Sequence, residues 1–426
     1  MADAALRLTS FAEELLQSPV PLRVRAWDGS ESGPPGGPVL VVRHRRALRR
    51  LLWRPGELGL ARAWVAGEID IEGDLYTALD RLAGLVWQRD TPPLTLRDAR
   101  LRTAARALAR LGGALPPPRP PAEEARRHGG SSHTRWRDRK AISHHYDVGN
   151  PFYELVLGPS MVYSCAYFAD DTTSLEDAQT AKLDLVCRKL GLTEGERLLD
   201  VGCGWGSMAV HAAREYGVRV TGVTLSREQA AYARKRIAEA GLTDRIDIRV
   251  QDYRDVHDGP YDAISSIGMA EHVGSVRYLE YAQRLHSLLR PGGRLLNHQI
   301  ARRPERDEAA YRVDSFIDRY VFPDGELSPL GRTVSLLEQA GFEARDVESI
   351  REHYGRTLRH WVGRLEAGWD EAVRLTSPGR ARVWRLYMAA SALAFEHNRI
   401  GVNQILAVKT PAGGGAGLPL RTRTWN

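Results

Sequence analysis

Residues 159 to 168 read PSMVYSCAYF and gather one of the chain's three cysteines, Cys165, with a serine hydroxyl and three aromatic rings. As a thiolate, Cys165 would be a nucleophile or a metal ligand; as a buried thiol it is a small hydrophobe. Further along, DVGCGWGS (200 to 207) sets Gly202, Gly204 and Gly206 between an apolar strand and a helix. Glycines at that junction let the backbone turn sharply and let a ligand approach the amides at the helix start. A dinucleotide site favours GxGxxG, with an acid near the end of the following strand. Here the spacing is GxGxG, Asp200 precedes it, and the next strand ends GVTLSREQ without an acid. That pattern suits S-adenosylmethionine, whose aminoacyl end packs on a glycine turn. It leaves Thr224, Ser226 or Gln229 to meet the ribose hydroxyls.

The elements that must hold these residues alternate in period. RLLDVG (197 to 202), VRVTGVTLS (218 to 226), IDIRVQDY (246 to 253), YDAISSIGM (261 to 269) and RLLNHQI (294 to 300) read as buried strands. Between them SMAVHAAREYG, closed by Gly217, and REQAAYARKRIAEAG read as helices, and a third near 275 to 290 is expected to stop at Pro291-Gly292-Gly293. Strands alternating with helices predict an α/β fold with a doubly wound, Rossmann-like sheet. Upstream, strand-like Leu22 to Trp27 and Val39 to Val42 and a helical stretch at 75 to 88 predict a small α/β domain over 1–105. A Pro/Arg-rich linker is expected over 106–138, a catalytic domain over 139–412 and a flexible tail over 413–426.

Composition narrows the function classes. At 426 residues the chain exceeds the size at which one core keeps growing, and 43% hydrophobic content supplies two. Three cysteines with no CxxC pair argue against a disulfide framework or a zinc site and predict no metal. The N-terminus carries Glu13 and Glu14 among its apolar positions and lacks a signal-peptide pattern, so a cytoplasmic location is expected. The charge of +7 is concentrated: residues 101 to 140 hold ten arginines and lysines against three acids. Such a segment suits phosphate, whether of nucleic acid or of anionic lipid, or is a solvated linker.

Seven motifs then occur in order: AISHHYDVGNPFY (141 to 153), MVYSCAYF (161 to 168), LDVGCGWGS, VTGVTLSREQ, QDYRDV (251 to 256), GMAEHVG (268 to 274) and YVFPDGELSP (320 to 329). Together they resemble the cyclopropane fatty acid synthases, the mycolic acid cyclopropane synthases and related fatty-acyl methyltransferases. The resemblance spans roughly residues 140 to 410. It implies the class I methyltransferase fold and transfer of a methyl group from S-adenosylmethionine to a cis double bond of an acyl chain. It also implies a base that removes a proton so that a ring can close. In the family that base is bound bicarbonate, and the matching positions are Cys165, Glu271, His298, Tyr354 and, through its backbone, Ile300. The cofactor positions that carry over are Tyr163, Ser164, Gly202, Cys203, Gly204, Gly206, Thr224, Leu225, Ser226, Gln229, Tyr253 and Arg254, with Asp200 before them.

An alkene is a poor nucleophile, so such a site must hold it against the sulfonium methyl and exclude water. Charge then develops on the acyl chain, where aromatic faces stabilise it, and Tyr167 is an expected cation-facing ring. A cysteine frequent near the family's C-terminus is Ser391 here, and covalent thiol catalysis has no electrophilic carbon to attack in an alkene. The expected partners are phospholipid acyl chains, an anionic membrane surface bound peripherally on its inner face, and a second copy in a homodimer, with no nucleic acid. The expected activity is that of a cyclopropane-fatty-acyl-phospholipid synthase. The competing readings are a methyltransferase that leaves a methylene-branched chain, a nucleic-acid or small-molecule methyltransferase, and a lipid-binding protein with a decayed site.

Overall fold

In the computed structural model of the chain, residues 3–16, 18–54, 56–87, 116–125, 148–308, 311, 313–420 and 423 are described. They fall into two compact units. The first comprises Met1–Arg127 with two later segments, Asp314–Val321 and Thr376–Leu393. It holds α1 (Ala4–Leu16), β1 (Arg23–Arg25), β2 (Glu31–Ser32), β3 (Val39–Val42), α2 (Arg46–Trp53), α3 (Glu57–Val65), β4 (Ile69–Glu72) and α4 (Leu75–Trp87). Its four strands run in the order β2-β1-β3-β4, with β1 parallel to β3 and the other pairs antiparallel.

Sequence patterning hides α2, because its buried face carries Arg50. That guanidinium is 7% exposed and pairs with the buried Glu68 at 2.7 Å, so a core position reads as a surface one. Most of the basic stretch at 101 to 140 lies outside the described residues. The described part, 116–125, has no helix or strand and packs within the first unit, where Glu124 meets Arg62 at 2.7 Å and accepts from Tyr320 Oη at 3.1 Å. The compact division therefore differs from the sequence-based one, drawing 116–125, 314–321 and 376–393 to the N-terminal unit.

The second unit holds α5 (Asn150–Leu157), α6 (Leu175–Leu190), β5 (Arg197–Val201), α7 (Ser207–Tyr216), β6 (Arg219–Thr224), α8 (Arg227–Glu239), β7 (Ile246–Val250) and β8 (Tyr261–Ile267). It continues with α9 (Ala270–Val273), α10 (Tyr278–Leu288), β9 (Leu289–Arg302), β10 (Ser328–Pro329), α11 (Leu330–Gln339), β11 (Glu343–Ser349), α12 (Arg351–Ala367), α13 (Trp369–Leu375) and β12 (Ile400–Val408). The sheet runs β11-β12-β9-β8-β5-β6-β7, and β10 pairs β9 off that path. From β9 to β7 the strands are parallel, while β12 is antiparallel to both its neighbours. This is the doubly wound architecture expected from the alternation of periods.

Successive residues of β5 serve opposite faces, as strand geometry requires. Leu198 packs with residues of α6, α7 and α8, and Leu199 and Val201 pack with residues of α10 and α11. Burial on both faces is why these strands read as nearly continuous apolar runs. One expectation shifts: α10 ends at Leu288, and Pro291-Gly292-Gly293 falls inside β9 rather than capping a helix. Tyr261 pairs with Leu289 but Ala263 with Arg294, so this turn is looped out of the β8 ladder, which a proline lacking N–H tolerates.

Candidate functional site: a cleft beside a buried acid and imidazole

The chain leaves β5 for β6 on one side and returns through β8 on the other, so the sheet order reverses between β5 and β8. Open α/β sheets bind ligands outside the strand carboxyl ends at that reversal. A cleft of about 1190 Å³, counted out to its mouth, lies there. Gly202 and Gly204 form its floor with φ of 77° and 53°, and a Cβ on Gly204 would meet only open space. Asp200, at the end of β5, accepts from Ser265 Oγ at 2.7 Å through Oδ1, while its buried Oδ2 has no partner among the described residues. Burial pushes this carboxyl up to about 6, with Ser265 and Lys182 opposing the shift.

Of the thirteen positions expected to meet the cofactor, Tyr163, Ser164, Asp200, Gly202, Cys203, Gly204, Thr224, Leu225, Gln229, Tyr253 and Arg254 line this cleft. Gly206 and Ser226 do not, and each has a structural task. Gly206 starts α7 at φ 81°, where a Cβ would meet Ala233 Cβ at 3.0 Å, so its small size lets α7 and α8 approach. Ser226 caps α8, accepting from the Gln229 amide at 3.2 Å. Thr224 Oγ1 donates to Gln229 Oε1 at 3.0 Å, joining the two polar groups that remain at the end of β6.

Among the lining residues that the sequence reading did not assign to the cofactor are Lys182, Gln251 and Asp252. Asp252 stands at the carboxyl end of β7 and pairs with Arg254 at 2.6 Å. An acid directly after the third parallel strand is a signal that the reversal rule could have flagged. Lys182 sits on α6, 1% exposed, donating to Ser164 Oγ at 3.0 Å. Burial lowers its ammonium to about 8, opposed by Cys165 and Asp200.

The second expected set is less exposed. Cys165 is fully buried, its thiol pushed well above the usual range by burial, with Sγ donating toward the Ala166 and Ile350 carbonyls at 3.2 and 3.6 Å. Burial so placed disfavours the thiolate form that a nucleophile needs. The Ile350 amide in turn bonds the Val402 carbonyl, and Val402 pairs with Ile300 across β9 and β12. Ile300 donates its amide to Glu271 Oε1 at 2.7 Å, so this amide serves the carboxylate rather than standing free for an anion. Glu271 as a residue is half-buried, yet its Oε2 is buried without a partner among the described residues. Burial pushes its carboxyl up to about 7, against the pull of the Ile300 amide.

His298 is 2% exposed and its Nε2 likewise has no partner among the described residues. Burial and the charges of Lys182 and Lys189 hold it well below the usual imidazole range, so it is neutral. Glu271 does not orient it; Gln404 does, with Nε2 3.4 Å from His298 Nδ1. Tyr354, on α12, packs its ring 4.6 Å from Phe395 and 6.2 Å from Trp361, whose ring lies 5.3 Å from Tyr163. Tyr167 is not in the cleft lining: it stacks on His353 at 4.7 Å and reaches Glu348. Tyr163 and Trp205, linked through Tyr153 at 5.7 and 4.7 Å, are the aromatic residues that do line it beside Tyr253.

Residues 133–405 match the family model described as mycolic acid cyclopropane synthetase. The chain belongs to that family. A Mycobacterium tuberculosis protein named as a probable fatty acid methyltransferase is 44% identical over 412 residues, covering 94% of both chains. The cyclopropane-fatty-acyl-phospholipid synthase of Escherichia coli K12 is 38% identical over 262 residues, covering 62% of this chain and 66% of its own. The crystal structure of the mycolic acid cyclopropane synthase CmaA1 complexed with SAH and CTAB matches with a TM-score of 0.60 at 34% identity, over 64% of this chain and 98% of that one.

As a member of this synthetase family the chain is an S-adenosylmethionine-dependent methyltransferase that acts in lipid modification. The cleft fits that cofactor on its own chemistry. Asp200 Oδ2 is a buried, unmet acceptor for an α-ammonium, Gly204 leaves room at the turn, and Thr224 and Gln229 offer hydroxyl and amide groups where the ribose would lie. Within the second unit Glu271 Oε2 and His298 Nε2 are likewise buried with no partner among the described residues. Among the described residues no helix is long and apolar enough to cross a membrane.

Proposed function

We propose that the chain transfers a one-carbon unit from S-adenosylmethionine to the cis double bond of an unsaturated acyl chain in a phospholipid, and that proton loss to bound bicarbonate closes a cyclopropane. The observation that carries this reading is that Glu271 Oε2 and His298 Nε2 are each buried with no partner among the described residues. Buried polar atoms left without partners are costly, on the order of 1 to 3 kcal/mol each, and their persistence points to a ligand. When bound, S-adenosylmethionine supplies an electrophilic methyl and bicarbonate supplies a base. Asp200, Thr224, Gln229 and Tyr253 hold the cofactor, and Tyr163 and Trp205 keep water from the reacting end. Glu271 holds or receives a proton at Oε2, Tyr354 and His298 orient the anion, and Cys165 forms one wall. Added bicarbonate is expected to restore part of the activity lost in Cys165→Ser, and complete loss with intact cofactor binding would return the thiol to the chemistry.

A second reading has a specific observation behind it. The relative that matches over 94% of both chains carries a fatty acid methyltransferase name, and proton loss from a different carbon would leave a methylene branch. Lipids from an expressing strain decide between the two by mass spectrometry and NMR. Ring protons support cyclopropanation; an exocyclic methylene without ring protons replaces it with the second reading.

The double bond lies inside a bilayer, so we infer a peripheral membrane partner, with the basic 101 to 140 stretch meeting anionic headgroups, and a homodimer as the working unit. Co-sedimentation with anionic liposomes that ignores salt would remove the electrostatic part.

A further inference from the structure

Behind His298 lies a run of buried polar side chains that the chemistry above does not use. The pairing of β9 with β12 sets His298 opposite Gln404, which is fully buried. Lys189, also fully buried, comes from the last turn of α6 and donates to Gln404 Oε1 at 2.8 Å and to Glu348 Oε2. Glu348 also accepts from the Tyr167 hydroxyl at 3.4 Å, and Asp346 lies 4.0 Å from the same ammonium. On the other side of the amide, Gln404 Nε2 is 3.4 Å from His298 Nδ1.

Donor and acceptor counting fixes the protons along this line. An ammonium has three N–H groups and accepts nothing, so the Gln404 atom that faces Lys189 must be the carbonyl oxygen. The amide NH₂ therefore faces the imidazole and can only donate. Nδ1 must accept, and a neutral imidazole then carries its one proton on Nε2. Burial and the charges of Lys182 and Lys189, both cations, disfavour a second proton on the ring. Hence Nε2, the nitrogen with no partner among the described residues, is a donor.

We propose that Lys189 and Gln404 are positioning residues that lock His298 as its Nε2–H tautomer, so that His298 serves the site as a hydrogen-bond donor to an anion and not as a base. The identity of that anion rests on the reading given under Proposed function; the tautomer does not. A proton that the anion itself gives up must then pass elsewhere in the set, and Glu271 is the remaining group with an unmet acceptor.

The test is long-range ¹H–¹⁵N NMR on the full chain labelled at histidine, with the His298 ring assigned by its loss in His298→Gln. The expected wild-type pattern is a protonated Nε2 and an unprotonated Nδ1. In Gln404→Glu the new carboxylate keeps Lys189 paired and accepts from the ring, so the proton moves to Nδ1. Turnover should then fall about 10- to 100-fold, as when an orienting partner behind a functional histidine is lost, while affinity for S-adenosylhomocysteine holds. A wild-type ring protonated on Nδ1, an unchanged tautomer in Gln404→Glu, or an inverted one with full turnover would each overturn the proposal. The expected tautomer together with lipids unchanged by the enzyme would instead sink the acyl-chain reading and leave the lock standing.

Discussion

The turn after β5 and the far half of β9 solve different problems within one sheet. At the turn, Gly202 and Gly204 adopt positive φ and the cleft takes its shape from backbone. Around β9, Glu271 and His298 carry buried atoms that nothing in the described protein satisfies. The first region is defined by conformation and the second by unmet hydrogen-bonding capacity. A substitution at the turn should therefore show in stability or cofactor affinity, whereas one near β9 should show in the chemical step and in pH dependence.

The sharpest test of that contrast is Glu271→Gln, which keeps shape and removes the ionisable oxygen. Turnover should fall about 10²- to 10⁴-fold, the range for losing a proton-transfer group, with S-adenosylhomocysteine affinity by calorimetry unchanged. The pH signature has a definite sign. Glu271 is held at about 7 against an ordinary 4.5, so between those values the native ligand-free protein keeps a proton that the unfolded chain has released. Its contribution to stability is largest below 4.5 and declines as pH rises to about 7. Asp200 acts in the same direction between 3.8 and about 6. Thermal unfolding of Glu271→Gln across this range should lose the upper part of that decline. An identical pH profile in the variant would contradict the buried, protonated carboxyl.

Asp200→Asn probes the other side of the comparison. The amide keeps an oxygen but loses the charge that would meet an α-ammonium, so affinity for S-adenosylhomocysteine should drop about 10- to 100-fold, the worth of a hydrogen bond to a charged group. Turnover at saturating cofactor should suffer less than in Glu271→Gln. Unchanged affinity would mean that Oδ2 has no ligand to meet.

What was legible in the sequence follows the same divide. The strands from β5 to β8 were readable because both faces are buried, which writes each as an apolar run, and the glycine turn because positive φ has a residue signature. Glu271, His298 and Tyr354 were not readable by themselves, since a buried histidine or tyrosine looks the same whether its polar atom is satisfied or not. They entered through resemblance to a family. Lys182, Lys189 and Gln404 stayed invisible for a related reason: on a helix or strand, a polar residue reads as surface until its burial is known. Sequence proximity to Cys165 says nothing about which neighbours a ring meets: Cys165 is buried, whereas Tyr167 is half-buried against His353 and Glu348.

Gly206→Ala tests shape without chemistry. A left-handed backbone costs a residue with a Cβ about 1 to 2 kcal/mol, and the 3.0 Å approach to Ala233 Cβ adds strain. The melting temperature should fall by several degrees, while the protein that remains folded keeps most of its affinity for the cofactor. A variant with wild-type stability and tenfold weaker binding would show that the turn's third glycine faces the ligand and not α8.

The smallest effect is expected at Ser226, where sequence and structure assign different work. The GVTLSREQ strand end offers this hydroxyl as one of three candidate ribose partners, with Thr224 and Gln229, but in the structure it accepts from the Gln229 amide at 3.2 Å, at the start of α8. Its cleft neighbours Thr224 and Gln229 are already joined to each other. Ser226→Ala should therefore cost about 1 kcal/mol of stability, the usual worth of a helix N-cap, with cofactor affinity within twofold of wild type. Thr224→Ala should do the reverse, weakening binding more than it lowers the melting temperature, because its hydroxyl lines the cleft and leaves Gln229 without its partner. If instead Ser226→Ala binds S-adenosylhomocysteine tenfold more weakly with no change in melting, the hydroxyl is shared with the ligand. The boundary between the backbone-shaped turn and its polar rim would then lie one residue further into α8 than the hydrogen bonds place it.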